Sequence, residues 1–175
     1  MSIHIVIDGY NLIRQSKRLS AIERSSLQEG REALLDGLSR YRRVKNYPMT
    51  VVFDGTHADN LIQARTRYKG INVLFSRPGE SADTVIKRLV RRERERAVVV
   101  SSDREVADFS TQQGAATIGS VEFEGKMKTA TLADVTPADS NEGEKRGWRP
   151  TTKKKGPSRR RPKHRRKSRA RTRKL

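Results

Sequence analysis

The stretch Ile3-His4-Ile5-Val6-Ile7-Asp8-Gly9 (residues 3–9) decides the fold. Its apolar residues are nearly consecutive, with no polar alternation, which is the pattern of a strand covered on both faces. The run stops at Asp-Gly, a turn dipeptide. The same construction recurs at Met49–Phe53, closed by Asp54-Gly55, and at Ala97–Val100, closed by Ser101-Ser102-Asp103. Ile71–Phe75 and Ala115–Ile118 supply two further strand candidates. Between them lie segments of helical period. Leu27, Leu34, Leu38 and Tyr41 mark a helix from about Ser20 to Val44. Val85, Ile86, Leu89 and Val90 mark another behind a Ser81 cap. A third helix follows Asp103 to about Gln113 and ends at Gly114, and Ser120 can cap a last short one. The polar stretch before Ile71 has some helical character. Doubly covered strands alternating with helices predict an α/β chain, a three-layer α/β/α sandwich around a mostly parallel sheet.

Charge divides the chain sharply. Of 39 Lys and Arg residues, 17 lie in Lys145–Leu175, which holds no Asp or Glu. Residues 1–144 therefore carry 22 basic and 20 acidic residues and are close to neutral, so the net charge of +19 belongs almost wholly to the tail. Periodicity fades past Ala130. The expected organisation is a folded domain over 1–130, a polar linker over 131–144 and a basic tail over 145–175 too poor in apolar residues to fold alone. There is no cysteine, which excludes disulfides, thiolate metal sites and a Cys nucleophile. His4, His57 and His164 are widely spaced and match no metal-ligand pattern. No stretch approaches the roughly 18 apolar residues of a membrane span. The amino terminus lacks the basic region and cleavage site of a secretory signal, so a cytoplasmic location is expected.

In an open parallel sheet, ligands bind beyond the carboxyl ends of the strands, where strand order reverses. Asp8, Asp54 and Asp103 follow three strands, and Asp83 lies at the start of the helix before the fourth. Asn11 is three residues past Asp8. Carboxylates gathered in one place repel one another and call for a hard divalent cation, Mg²⁺ or Mn²⁺. Such an ion suits phosphodiester hydrolysis. Each residue also has a structural reading. Asp-Gly is an ordinary turn, Asp103 can cap a helix, Asp83 can complement a helix dipole, and Asn11 can close a turn.

Four words carry a resemblance: Ile-Asp-Gly-Tyr-Asn (7–11), Val-Val-Phe-Asp-Gly (51–55), Glu-Ser-Ala-Asp (80–83) and Val-Ser-Ser-Asp (100–103). In this order, across roughly residues 1–130, they resemble the YacP-like branch of the NYN domain family, relatives of the PIN-domain nucleases. The resemblance implies a PIN-like sheet and a divalent-metal-dependent endoribonuclease, with bacterial members linked to translation-associated RNA cleavage. It implies that Asp8, Asp83 and Asp103 match acidic metal-site positions and that Asn11 matches their accompanying Asn. Asp54 and Glu80 are further candidate ligands. The alternative is a non-catalytic RNA- or ribosome-binding protein that keeps the PIN-like body as a scaffold.

The tail departs from the family domain. Its Arg-rich core, with Arg159, Arg160, Arg161, Lys163, Arg165, Arg166 and Lys167, suits phosphate groups. RNA (mRNA or rRNA) and the ribosome are the expected partners, bound with strong salt dependence and little sequence preference. Trp148 is the tail's one residue for base stacking. No apolar helix face accompanies the charge, which argues against a membrane partner. Lys87–Arg96, where Arg and Glu intermingle, suits a solvated helix face. Oligomeric state leaves no mark in the sequence.

Overall fold

A computed structural model describes residues 2–55, 65–135 and 163–175. Within them the chain forms β1 (His4–Asp8), α1 (Gly9–Gln15), α2 (Lys17–Ser25), α3 (Leu27–Lys45) and β2 (Met49–Phe53). There follow β3 (Arg65–Tyr68), β4 (Ile71–Phe75), α4 (Ala82–Glu93), β5 (Ala97–Val100), α5 (Arg104–Gln112), β6 (Ala116–Ile118), α6 (Ser120–Val135) and α7 (Lys163–Lys174). The sheet order is β3-β4-β2-β1-β5-β6. All pairings are parallel except β3 with β4, which is antiparallel. The three-layer α/β/α architecture expected from the sequence is thus the observed one.

Strand period distributes the core. Ile5, Ile7, Val51, Phe53, Val73, Val98 and Val100 pack on one face against Leu34, Leu38, Tyr41 and Phe123 of α3 and α6. Their alternates Val6, Val52 and Val99 pack on the other against Val85, Ile86, Val90 and Val106 of α4 and α5. This is why the sequence shows continuous apolar runs. The chain proceeds outward from β1 through β2 to β4, then returns to lay β5 on the opposite side of β1. That reversal opens a crevice at the carboxyl ends of β1 and β5.

Three elements depart from the sequence expectation. The predicted helix from Ser20 is two helices, because Ser26 turns extended and its side chain accepts from Glu29 N, starting α3 afresh. Helix α1, which begins directly after Asp8, has no counterpart among the predicted elements. Asp8 itself supplies the cap, with a carboxylate oxygen accepting from Asn11 N at 3.1 Å. The polar stretch before Ile71 contains an edge strand, β3, whose side chains are mostly exposed. It is held by backbone pairing with β4 and so carries no apolar period to detect.

The last residues of the basic tail are among those described. Residues 163–174 are helical, and α7 lies against β6 at the sheet edge. Arg171 donates to the carbonyls of Glu95 and Gly114, the latter at 3.0 Å. Leu175 is buried, and its carbonyl accepts from the Tyr41 hydroxyl at 2.6 Å. Helix α6 likewise continues to Val135, past the fading of the period at Ala130. Among the described residues no helix is long and apolar enough to cross a membrane.

Gly9 sets how closely α1 approaches the sheet. A Cβ there would stand 2.3 Å from the Phe53 ring. Phe53 is fully buried between Tyr10 and Phe75, with ring centroids 5.1 and 5.6 Å away. Gly9→Ala is therefore expected to cost about 1–3 kcal/mol through overpacking. Phe53→Leu in the same chain should recover part of that loss. Thermal denaturation of the two single variants and the double variant checks both statements, and additive losses would contradict the clash.

Candidate active site

Strand parity decides where Asp8 faces. It stands two residues beyond Val6, on the side of the sheet covered by α4 and α5. The amino ends of those two helices bear Asp83 and Asp103. Asp83 sits in the first turn of α4, behind the Ser81 cap. Asp103 is the cap of α5, with Oδ1 accepting from Glu105 N at 2.7 Å and Val106 N at 3.2 Å. The helix-capping reading of Asp103 is correct for one oxygen, and Oδ2 makes no part of that cap.

A relay of hydroxyls and one amide joins the loops. Asp103 N donates to Ser101 Oγ at 3.1 Å, and Ser101 Oγ donates to Asp8 Oδ2 at 3.3 Å. Asn11 Oδ1 accepts from Ser102 N at 2.9 Å and from Ser120 Oγ at 2.7 Å. Ser120 N in turn donates to Ser102 Oγ at 3.1 Å. A backbone N–H can only donate, so the Ser102 contact fixes which end of the Asn11 amide is oxygen. Asn11 thereby ties α1 to the β5–α5 loop and to the start of α6. Sequence reasoning singled out Asn11 but assigned Ser101, Ser102 and Ser120 no part in the site. The visible signal for the first two was a pair of hydroxyls directly at a strand end.

The electrostatics are those of crowded, partly dehydrated carboxylates. Asp8 is 8 % exposed, and burial pushes its carboxyl up to about 6. The bonds from Asn11 N and Ser101 oppose that rise, while the charges of Asp83 and Asp103 add to it. Asp83 is also raised, first by burial and next by Asp103, with Glu105 and Asp54 adding and Lys87 opposing. Asp54 belongs to this field from the end of β2. Gly55 beside it lies against Ser76, to whose Oγ its N–H donates at 2.9 Å. The structure thus gives the glycines of both Asp-Gly words a packing reason.

Asp8, Asp83, Asp103 and Asp54 share one electrostatic environment at the crevice, and Asn11 borders it. Glu80 is not drawn in, because its carboxylate pairs with Arg88 at 2.7 Å. Among the described residues no three acidic or imidazole side chains already stand in a metal-ligating arrangement. The donor set is nevertheless all oxygen, and dehydrated carboxylates that raise one another's affinity for protons fit a hard divalent cation. Arg159, Arg160, Arg161 and Trp148 lie outside the described residues. Lys163, Arg165, Arg166 and Lys167 fall in the first turns of α7. Lys87–Arg96 forms a solvated face as expected, with Lys87 paired to Glu105 and Arg92 to Glu93.

Sequence reasoning also passed over Arg31. It occupies an apolar-stripe position of α3, four residues from both Leu27 and Leu35, and is 6 % exposed. A cation at a core-facing helical position was the signal available.

The rise at Asp8 fixes a pH dependence. With the folded-state value near 6 and the ordinary value 3.8, the folded chain holds one more proton than the unfolded chain between them. Stability without metal should therefore fall as pH rises from about 4 to about 6, by up to about 3 kcal/mol. Asp8→Asn keeps the cap to Asn11 N and removes the titration. In EDTA it should flatten that decline and be the more stable protein at pH 7. Denaturant unfolding of both proteins from pH 4 to 8 measures this, and parallel curves would contradict the assignment.

With this geometry in hand, comparison with known proteins places the chain. Residues 5–165 match the model of the YacP-like NYN domain. The uncharacterized protein YacP of Bacillus subtilis is 28 % identical over 87 residues, covering 50 % of this chain. The match spans about half (51 %) of that relative's length. The crystal structure of Rae1 (YacP) from Bacillus subtilis superposes with a TM-score of 0.64 at 27 % identity, over 77 % of this chain and 78 % of that one. A crystal structure of a tryptophan-to-leucine mutant of the same Bacillus subtilis protein gives 0.62 at 23 % identity, over 75 % and 78 %, a likeness of fold. NYN domains are generally nucleases with a PIN-like fold, and this chain belongs to the YacP-like NYN domain family.

Proposed function

We propose that the chain is a divalent-metal-dependent endoribonuclease that hydrolyses RNA phosphodiester bonds, with mRNA in a translation context as its substrate. The observation that carries the proposal is the buried Asp8 carboxyl at the sheet's reversal point, held near 6 with Asp83 and Asp103 in the same field. A carboxylate raised in this way is costly to keep ionised and is stabilised by a cation. Asp8, Asp83 and Asp103 are the residues to hold Mg²⁺ or Mn²⁺, with Asp54 as an accessory. When bound, the ion supplies charge neutralisation for the scissile phosphate and acidity for a bound water.

The chain's own groups have separable tasks. Asp103 keeps Oδ1 on the α5 cap and has Oδ2 for the ion. Asn11 has its oxygen committed to Ser102 and Ser120, so its amide nitrogen is the end available to a phosphate oxygen. Ser101 acts as a positioning residue by fixing Asp8 Oδ2. The basic tail holds RNA or a ribosome through phosphate contacts, consistent with a cytoplasmic bacterial setting. Its Arg159–Arg161 cluster and the basic residues of α7 are the proposed contacts.

One observation favours the rival reading of a binding scaffold: among the described residues the carboxylates share a field without forming a ready metal site. Cleavage assays decide between the two. The full chain is incubated with single-stranded RNA, structured RNA and translating ribosomes, each with Mn²⁺, Mg²⁺ or EDTA. Metal-dependent cuts are expected, and Asp8→Asn and Asp83→Asn should abolish them while keeping the fold. Asn11→Ala should lose about 10–100-fold, as supporting groups of metal sites do. Tight ribosome binding with no cleavage in any arm would favour the scaffold.

A further inference from the structure

Helix α3 and the β3–β4 hairpin enclose a cavity of about 450 Å³ on the face of the sheet opposite α4. Its walls are largely apolar, with Leu35, Phe53, Tyr68, Val73 and Phe75 among them, and Arg31 and Arg67 supply positive charge. Arg31 is the unusual member. It is buried, and its Nε and Nη1 have no hydrogen-bond partner among the described residues. Its guanidinium lies 5.5 Å over the Phe75 ring, and no carboxylate of the described residues is paired with it. Glu32, the acidic residue of the lining, is held by Gln28 at 2.6 Å. A third orphan lies nearby: the Tyr10 hydroxyl is buried without a partner among the described residues and within the electrostatic reach of Arg31.

An unpaired buried guanidinium is expensive, and apolar replacement is often neutral or stabilising. Two buried guanidinium donors without acceptors call for an oxygen-rich anion, and guanidinium geometry matches phosphate. A bare phosphate leaves the apolar walls unused. The volume falls within the ~300–1,000 Å³ range of small-molecule sites, and apolar walls with few polar groups suit a ligand that has both a charged and an apolar part.

We propose that this cavity is a nucleotide subsite, in which Arg31 receives a phosphate while Leu35, Tyr68 and Phe75 accommodate the attached nucleoside. The inference rests on the nuclease reading for its source of nucleotide, a strand of RNA that continues from the acidic crevice. Phe53 and Tyr10 connect the two places. Tyr10 follows Asp8 by two residues, and its ring packs edge-on to Phe53, which stacks on Phe75.

NMR of the full chain in EDTA tests the proposal without needing cleavage. Arginine Nε–H and aromatic ring signals are followed during titration with uridine 5′-monophosphate, uridine or inorganic phosphate. The nucleotide should shift Arg31 and Phe75 saturably, and uridine or phosphate alone should bind at least about tenfold more weakly, the scale of one charge-assisted hydrogen bond. Arg31→Met should abolish the Phe75 shift, leave shifts in the basic tail, and keep or raise Tm. Arg31→Lys, which keeps the charge, should retain weakened binding. An unmoved Arg31 when tail signals have saturated overturns the subsite, as does a Phe75 shift that survives in Arg31→Met. Equal binding of inorganic phosphate overturns the nucleotide assignment. In cleavage assays Arg31→Met should raise KM and spare kcat. Absence of cleavage in wild type counts against the nuclease, while the titration still decides the subsite.

Discussion

The structure turns on a carboxylate buried at the end of its central strand. Asp8 closes β1, caps α1 through Asn11 N, and accepts from Ser101 in the neighbouring β5 loop. Three pieces of backbone thus meet at one side chain. Those contacts stabilise the charge but do not cancel its dehydration, since the carboxyl still sits near 6. A purely structural cap could sit in solvent and avoid this penalty, as Ser26 does for α3 with a neutral hydroxyl. Burial of an acid beside two others is a cost that local architecture does not require, and such costs concentrate at functional sites.

The sheet's two faces separate two kinds of work. On the α4 and α5 side, helix amino ends bring acidic side chains toward Asp8, and their dipoles favour that sign of charge. On the α1 and α3 side, the absence of a side chain at Gly9 lets Phe53 pack against the backbone. The row Tyr10–Phe53–Phe75 then stiffens the strand ends from the other direction. Because Gly9 directly follows Asp8, displacement of this aromatic row would move the site carboxylate. Packing on one face is therefore coupled to acid placement on the other through a single peptide unit.

Residues of strong local character were legible in the sequence. The five apolar strands were visible because β1, β2 and β5 are buried on both faces and β4 and β6 are at least half-buried, and Asp8, Asp54 and Asp103 were visible because they follow such runs. What escaped detection had its cause outside the local pattern. The exposed strand β3 exists through its pairing with β4, and α1 starts where a strand residue also serves as a cap. Ser26, a cap lying inside the one expected helix, broke it into α2 and α3. The Ser101, Ser102 and Ser120 hydroxyls gain their roles only when loops distant in sequence converge. Composition likewise described the tail as unable to fold alone. It could not foresee Leu175 and Arg171 using the existing surface of Tyr41 and the β6 edge.

That docking bears on how a polyanion could reach an acidic site. The body is almost neutral, so it generates little long-range attraction for RNA, and its crevice presents the repulsive sign. Attraction has to come from elsewhere, and the tail holds nearly all of the net charge. A freely trailing tail would spread that charge through solution. Helix α7 instead fixes its final turns beside β6, the neighbour of the strand that leads to Ser101 and Asp103. Its Arg171 anchors, the carbonyls of Glu95 and Gly114, precede β5 and β6, so this positive charge is fixed toward the amino ends of those strands, away from the crevice. Screening sets the useful range at about 8–10 Å in physiological salt. Within that range the basic helix can draw phosphates toward the sheet edge.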